Sequence, residues 1–299
     1  MQRRFEVTGP LNLRWTLRLM TLWGATTWLK VDDSGAWYAR RTPDGPGTVH
    51  IRHKGDHLLV DGFGDGAERV LDAVPALCGL DDAGVDAIEP VHPFIAEQKK
   101  RMRGLRQGRT GDVFPRLVVA GLAQKVTKAN SGPVAKRIAW QWGEQAPGPR
   151  EDLRLLPAPR DLARRPYYAF HQLGIERHRA DLVKRIADRA SALQRAAKMP
   201  PREGRAHLEK LRGIGPWTSG VVMSGPLGDP DAVPIGDYHL PNWVAWNLAG
   251  EARADDARMM ELLAPYAGRR GQVARMVKGS GSGAPRYGPK RAAIDVRKM

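Results

Sequence analysis

Within Leu208-Glu209-Lys210-Leu211-Arg212-Gly213-Ile214-Gly215-Pro216-Trp217-Thr218-Ser219, two glycines stand one apolar residue apart between two helical patterns. No other feature restricts the chain as much. Gly213 and Gly215 let the backbone turn tightly and leave its N–H groups exposed. Together with the positive N-terminal end of the following helix, those groups form a phosphate-sized anion site. Leu208 and Leu211 before the turn, and Trp217-Thr218 after it, frame a helix, a hairpin and a second helix. Twenty residues beyond Trp217, past a Gly/Pro-rich loop, Pro234-Ile235-Gly236-Asp237-Tyr238 supplies a lone carboxylate.

Charge points the same way as the anion site. The 299 residues carry 48 Lys+Arg against 32 Asp+Glu, a formal net charge of +16. Such an excess implies a polyanion partner, without separating DNA from RNA. The densest basic run is Lys99-Lys100-Arg101-Met102-Arg103-Gly104-Leu105-Arg106-Gln107-Gly108-Arg109. It reads equally well as a phosphate-contacting segment or as a solvated helix end and loop. The single cysteine, Cys78, excludes an intrachain disulfide and any four-cysteine iron–sulfur or zinc site. In Val74-Pro75-Ala76-Leu77-Cys78 it reads as a small core residue. His207 and His239 lack metal-ligand spacing, so no side-chain metal site is expected. Arg14 and Arg18 interrupt the apolar stretch Leu11–Leu29, which argues against a secretion signal or membrane span. The expected location is cytoplasmic: bacterial cytoplasm or nucleoid, or the nucleus in a eukaryote.

Three regions are expected. Residues 1–88 read as a small antiparallel β-sheet domain with helices: Ala36–Arg41 is strand-like, Val49 and Ile51 alternate with His50 and Arg52, and Lys54-Gly55-Asp56 signals a turn before Leu58-Leu59-Val60. Val70, Leu71, Val74 and Leu77 then fall at helical spacing. Residues 89–278 read as all-helical, with His92-Pro93-Phe94 as a helix entry and Val113–Val126 as an apolar helix. Residues 279–299 read as a flexible basic tail, introduced by Gly279-Ser280-Gly281-Ser282-Gly283. The fold class is α+β.

The hairpin with its downstream acid resembles the helix-hairpin-helix–Gly/Pro/Asp superfamily of DNA base-excision glycosylases. The Gly-Ile-Gly-x-Trp-Thr form is similar to the 3-methyladenine DNA glycosylase II branch. The bend at Leu173-Gly174-Ile175, followed by Arg179-Ala180, fits the same likeness. The resemblance implies an all-α core of two helical subdomains with the active-site cleft between them. It implies double-stranded DNA with damaged bases as the partner, and a monomer. Gly213, Ile214, Gly215 and Thr218 would hold a phosphate, and the carbonyls of Arg212 and Ile214 a monovalent cation, Na+ or K+. No organic cofactor is implied, and the iron–sulfur loop of some relatives cannot form here.

The resemblance also distributes the chemistry. Asp237 would stabilise the oxocarbenium-like sugar and position water; as the residue after Gly236 and before an apolar helix it also suits an N-cap. Asp229 and Asp231, beside Pro230, read as turn residues. Lyases of the superfamily carry lysine at the position of Trp217, so tryptophan implies a monofunctional hydrolase. Trp217, Tyr238 and Val221 would line the base pocket, where an indole face attracts a cationic base. Gln124 and Lys125 match the place of the wedge that fills the gap left by an extruded base. Three departures stand out: Arg212 replaces a proline, Lys125 an apolar wedge, and Val221 a tyrosine. Val277 lies near the place of a C-terminal pocket tryptophan. Trp243 and Trp246 fall at core spacing. The expected function is hydrolysis of the N-glycosidic bond of damaged bases, alkylated purines foremost, in duplex DNA. The alternatives are a non-catalytic DNA-binding module, or a glycosylase for mismatched or oxidised bases.

Overall fold

A computed structural model of the chain describes residues 1–21, 26–124 and 128–285. Five strands form one antiparallel sheet: β1 (Gln2–Glu6), β2 (Leu29–Asp32), β3 (Gly35–Thr42), β4 (Gly45–Lys54) and β5 (His57–Phe63), in the order β1-β5-β4-β3-β2. The alternation along β4 decides its two faces. Val49 and Ile51 are fully buried, whereas His50 turns outward and stacks on its cross-strand partner Trp37, with centroids 3.9 Å apart. A short helix, α1 (Leu13–Arg18), joins β1 to β2, and α2 (Ala67–Asp72) and α3 (Val74–Leu77) follow β5. Val70, Leu71, Val74 and Leu77 cover the inner face of the sheet.

Twelve further α-helices follow among the described residues: α4 (Pro93–Arg101), α5 (Val113–Ala123), α6 (Lys128–Trp142), α7 (Pro159–Arg164), α8 (Tyr167–Gln172), α9 (Arg177–Asp188), α10 (Ala190–Gln194), α11 (Pro201–Glu209), α12 (Pro216–Ser224), α13 (Leu240–Ala249), α14 (Asp256–Leu263) and α15 (Arg270–Gly279). Helix α5 is apolar almost all round because it is enclosed, with α6, α9, α10 and α12 packed about it. The fold is thus of the α+β class expected from the sequence.

Burial divides into two clusters. The first runs from the inner face of the sheet through α5, α6 and α9 to Leu208, Ile214, Val222 and Met223 of the hairpin helices. The second joins Val85, Ile88, Ile95, Met102 and Leu105 to Val233, Leu240, Val244, Met259 and Val273. The hairpin therefore belongs to one lobe, while the segments on either side of Asp237 belong to the other.

The basic run ties these parts together. Arg106 is buried, and its guanidinium donates to the carbonyls of Pro10, Gly79 and Thr8, while its backbone N–H donates to Thr16 Oγ1. Lys99 Nζ donates to the carbonyl of Ile88 at 2.9 Å, and Arg109 pairs with Asp81. Lys100, Arg101 and Arg103 remain at the surface. At least half of the run's basic side chains are thus engaged by groups of the protein itself. Cys78 is fully buried, and burial pushes its thiol well above the ordinary range. The glycine/serine stretch after α15, read as a flexible linker, is held against α13: Asn247 Nδ2 donates to the carbonyl of Ser282 at 3.0 Å. Residues 286–299 of the basic tail lie outside the described residues. No described helix is long and apolar enough to cross a membrane.

Candidate active site

The hairpin is built as its glycines dictate. Gly213 has φ +100°, a left-handed conformation that a side chain adopts only under strain, and a Cβ there would stand 2.8 Å from Leu182 Cδ1. Ile214 is the anchor: its side chain is buried in the first cluster, and its N–H closes the turn onto the carbonyl of Leu211 at 2.9 Å. Gly215 has open space where a Cβ would lie. The amides of Gly213 and Gly215 donate to no protein acceptor among the described residues. Pro216 opens α12, and the first-turn amides beside it have no intrahelical acceptor.

Three side chains given no role in the sequence expectation lock the helix crossing. Ser219, fully buried, donates from Oγ to Glu209 Oε1 at 2.5 Å, and Arg205 Nε donates to the same oxygen at 3.1 Å. The pair spans the turn from α11 to α12, so no helical spacing in the sequence advertises it.

Gln124 takes a different place from the one expected. Its Nε2 donates to the carbonyl of Gly213 at 2.8 Å and to Thr218 Oγ1 at 2.9 Å. The amide group that was read as a DNA contact braces the hairpin from behind. Thr218 is correspondingly 2% exposed, so its side chain is spent on packing and on Gln124, and only its backbone can serve an anion. Lys125 lies outside the described residues.

Asp237 and Trp217 meet across the lobes. Trp217 Nε1 donates to Asp237 Oδ2 at 3.0 Å. The other carboxylate oxygen, Oδ1, accepts from the N–H groups of His239 at 2.9 Å and Leu240 at 3.0 Å, at the start of α13. The acid caps a helix, as its position suggested, and at once faces the hairpin tryptophan. Three N–H donors on two oxygens fix the rotation of the carboxylate while it remains half-buried.

Tyr238, expected in the pocket, is not brought to the acid. The turn that places Asp237 inward sends the next side chain out: Tyr238 is 85% exposed and stands edge-on to His239, which stacks on Trp243 at 5.8 Å. Val221 lies one helical turn beyond Trp217 on α12 and is 7% exposed. Asp229 Oδ1 accepts from the N–H of Asp231, and Asp231 pairs with Arg270 at the start of α15, which holds its carboxyl below the usual range. Both are structural, as their neighbouring proline suggested. His207 Nε2 bonds the carbonyl of Ala192 at 2.8 Å. No cluster of His, Cys, Asp and Glu suited to a metal occurs among the described residues.

Comparison with known proteins agrees with this geometry. No family model matches the chain. It is 30% identical over 212 residues to the probable bifunctional transcriptional activator/DNA repair enzyme AlkA of Mycobacterium tuberculosis, covering 67% of this chain and 41% of that protein. The chain thus spans less than half the length of the curated relatives it matches. The 3-methyladenine DNA glycosylase of Archaeoglobus fulgidus superposes with a TM-score of 0.76 at 19% identity, over 92% of this chain and 96% of that one. The 8-oxoguanine glycosylase/lyase of Clostridium acetobutylicum, solved with double-stranded DNA, superposes with a TM-score of 0.68 at 14% identity, over 94% and 97%. The chain thus has the fold of these DNA glycosylases and is similar in sequence to curated DNA repair enzymes of the same kind.

Proposed function

We propose that the protein is a monofunctional DNA glycosylase that hydrolyses the N-glycosidic bond of damaged bases, alkylated purines foremost, in duplex DNA. The observation that carries this reading is the Trp217–Asp237 contact, 3.0 Å between the hairpin of one lobe and the first turn of α13 in the other. In this reading the free amides of Gly213 and Gly215 and the N-terminus of α12 hold a backbone phosphate. That grip sets the sugar of the neighbouring nucleotide over the carboxylate. As the C1′–N bond lengthens, positive charge grows on the sugar, and Asp237 stabilises it and orients the attacking water. A base that is already cationic leaves without a separate proton donor, so one acid suffices.

A monovalent cation belongs to the same reading. The carbonyl of Gly213 is taken by Gln124, but those of Arg212 and Ile214 accept no hydrogen bond from a described group, which fits them to hold one. Such an ion would screen the incoming phosphate.

The test is base release from a panel of duplexes, each with one lesion. Release of an alkylated purine supports the proposal. DNA binding with no release from any lesion overturns it in favour of a non-catalytic module. A second expected result concerns the nucleophile. Tryptophan has no amine to attack C1′, so borohydride added during turnover should trap no protein–DNA adduct. A trapped adduct would show lyase chemistry from another residue.

A further inference from the structure

Helix α12 begins at the acid and ends at two arginines. Most of it is sealed: Thr218, Ser219, Val222 and Met223 are at most 2% exposed. The exposure that survives follows one stripe at helical spacing, from half-buried Trp217 through Val221 at 7% to Ser224 at 9% and half-buried Gly225. This stripe runs inward from the Trp217–Asp237 contact, and seven residues of helix amount to roughly 10 Å of rise.

At its inner end the two lobes each contribute a guanidinium. Arg116 projects from α5 and donates from Nη2 to the carbonyl of Met20 at 2.6 Å; the same nitrogen stands 2.8 Å from where a Cβ of Gly225 would lie. Arg275 projects from α15 and donates from Nη1 to the carbonyl of Ser224 at 3.1 Å. Both side chains are half-buried, and neither has a carboxylate within ion-pair distance among the described residues. Each feels the cost: burial lowers Arg275 to about 10 against the opposing charges of Asp82 and Asp229, and burial with the charge of Arg275 lowers Arg116 to about 10. Helix capping accounts for only part of this. Gln107 Nε2 already donates to the carbonyl of Ser224 at 2.9 Å, and the N–H groups of Leu227 and Asp229 take those of Val222 and Met223. Two like charges are held together where one neutral donor already serves.

We infer that Arg116 and Arg275 form the specificity floor of the base pocket and select purines with an oxygen at C6 over purines with an amino group there. This rests on the glycosylase reading and refines its substrate class. A guanidinium is donor-only, so an exocyclic oxygen satisfies the pair while an exocyclic amine opposes it with a second donor. Among alkylated bases the best match is 7-methylguanine. It offers the C6 oxygen to the arginines, and its positive imidazole ring suits the indole of Trp217.

The test uses duplex DNA treated with dimethyl sulfate, which carries 7-methylguanine and 3-methyladenine in one substrate. Released bases are separated and counted for the wild type, Arg116→Gln and Arg275→Gln. The expected result is a fall in the ratio of 7-methylguanine to 3-methyladenine of about tenfold, as for loss of one oriented arginine–oxygen contact. A second measurement needs no variant: free hypoxanthine should raise the melting temperature of the wild type more than free adenine does. Wild-type release with an unmoved ratio, or equal stabilisation by the two free bases, overturns the arginine assignment alone. Release of neither base by the wild type overturns the glycosylase reading, and the inference with it.

Discussion

Asp237→Asn is expected to lower single-turnover base release by about 10²–10³-fold, the usual loss when one group aimed at developing charge is neutralised. Two observations make this a clean test. Asparagine keeps an oxygen at the position of Oδ1, so the N–H groups of His239 and Leu240 stay capped and α13 keeps its start. Its nitrogen then faces the indole N–H of Trp217, donor against donor, in place of the 3.0 Å bond. Charge and the inter-lobe contact are lost together, while the hairpin is untouched. Affinity for a duplex carrying an abasic site should therefore hold. A variant that excises at the wild-type rate would remove Asp237 from the chemistry.

Gly220→Ala should cost nearly as much by another route. A Cβ at Gly220 would lie 2.7 Å from Pro234 Cα and 2.9 Å from the carbonyl oxygen of Val233. Both are backbone atoms, so the segment leading to Asp237 must move away from α12. Overpacking of this kind costs about 1–3 kcal/mol, read as a lower denaturation midpoint. The larger effect is on rate, since displacing a reacting group by about 1 Å costs on the order of 10²-fold. Binding to abasic-site DNA should again be kept, because Gly213 and Gly215 lie in the turn before α12, whereas Gly220 sits in mid-helix against Val233 and Pro234. An unchanged rate with lowered stability would show that the acid is positioned independently of α12.

The sequence disclosed those parts of the site that depend on local backbone. Gly213, Ile214 and Gly215 are legible because a tight turn has few solutions, and Asp237 because a cap before an apolar helix has a short signature. The strands of the N-terminal sheet are legible because Val49 and Ile51 alternate with His50 and Arg52. What stayed hidden depends on contacts between segments distant in the chain. Gln124 carries no mark that its amide turns toward Gly213 rather than outward. Tyr238 and Asp237 are adjacent in sequence yet point to opposite environments, because a capping turn reverses direction at that step. Arg106 reads like its basic neighbours until Thr8, Pro10 and Gly79 are seen to converge on it. Arg116 and Arg275, far apart in the chain, acquire a shared meaning only when the end of α12 brings them together.

The division of the core also sets an order of assembly. Nearly every residue of the first cluster precedes Ser224, so the glycine hairpin can settle on its supporting helices as soon as that length of chain exists. The second cluster waits. Val85, Ile88, Ile95 and Met102 have only Leu105, Phe94, Trp15 and Leu19 as apolar partners until the stretch from Val233 to Val277 arrives to cover them. Contacts so far apart in the chain form late and leave apolar faces open meanwhile. A chain interrupted before α13 would thus be left with a finished grip and a sticky, half-built second lobe, and it should be recovered as aggregate. The lobe that carries the acid is the last to close, so under the proposed function the hairpin that would hold DNA is complete before the acid can act on a base.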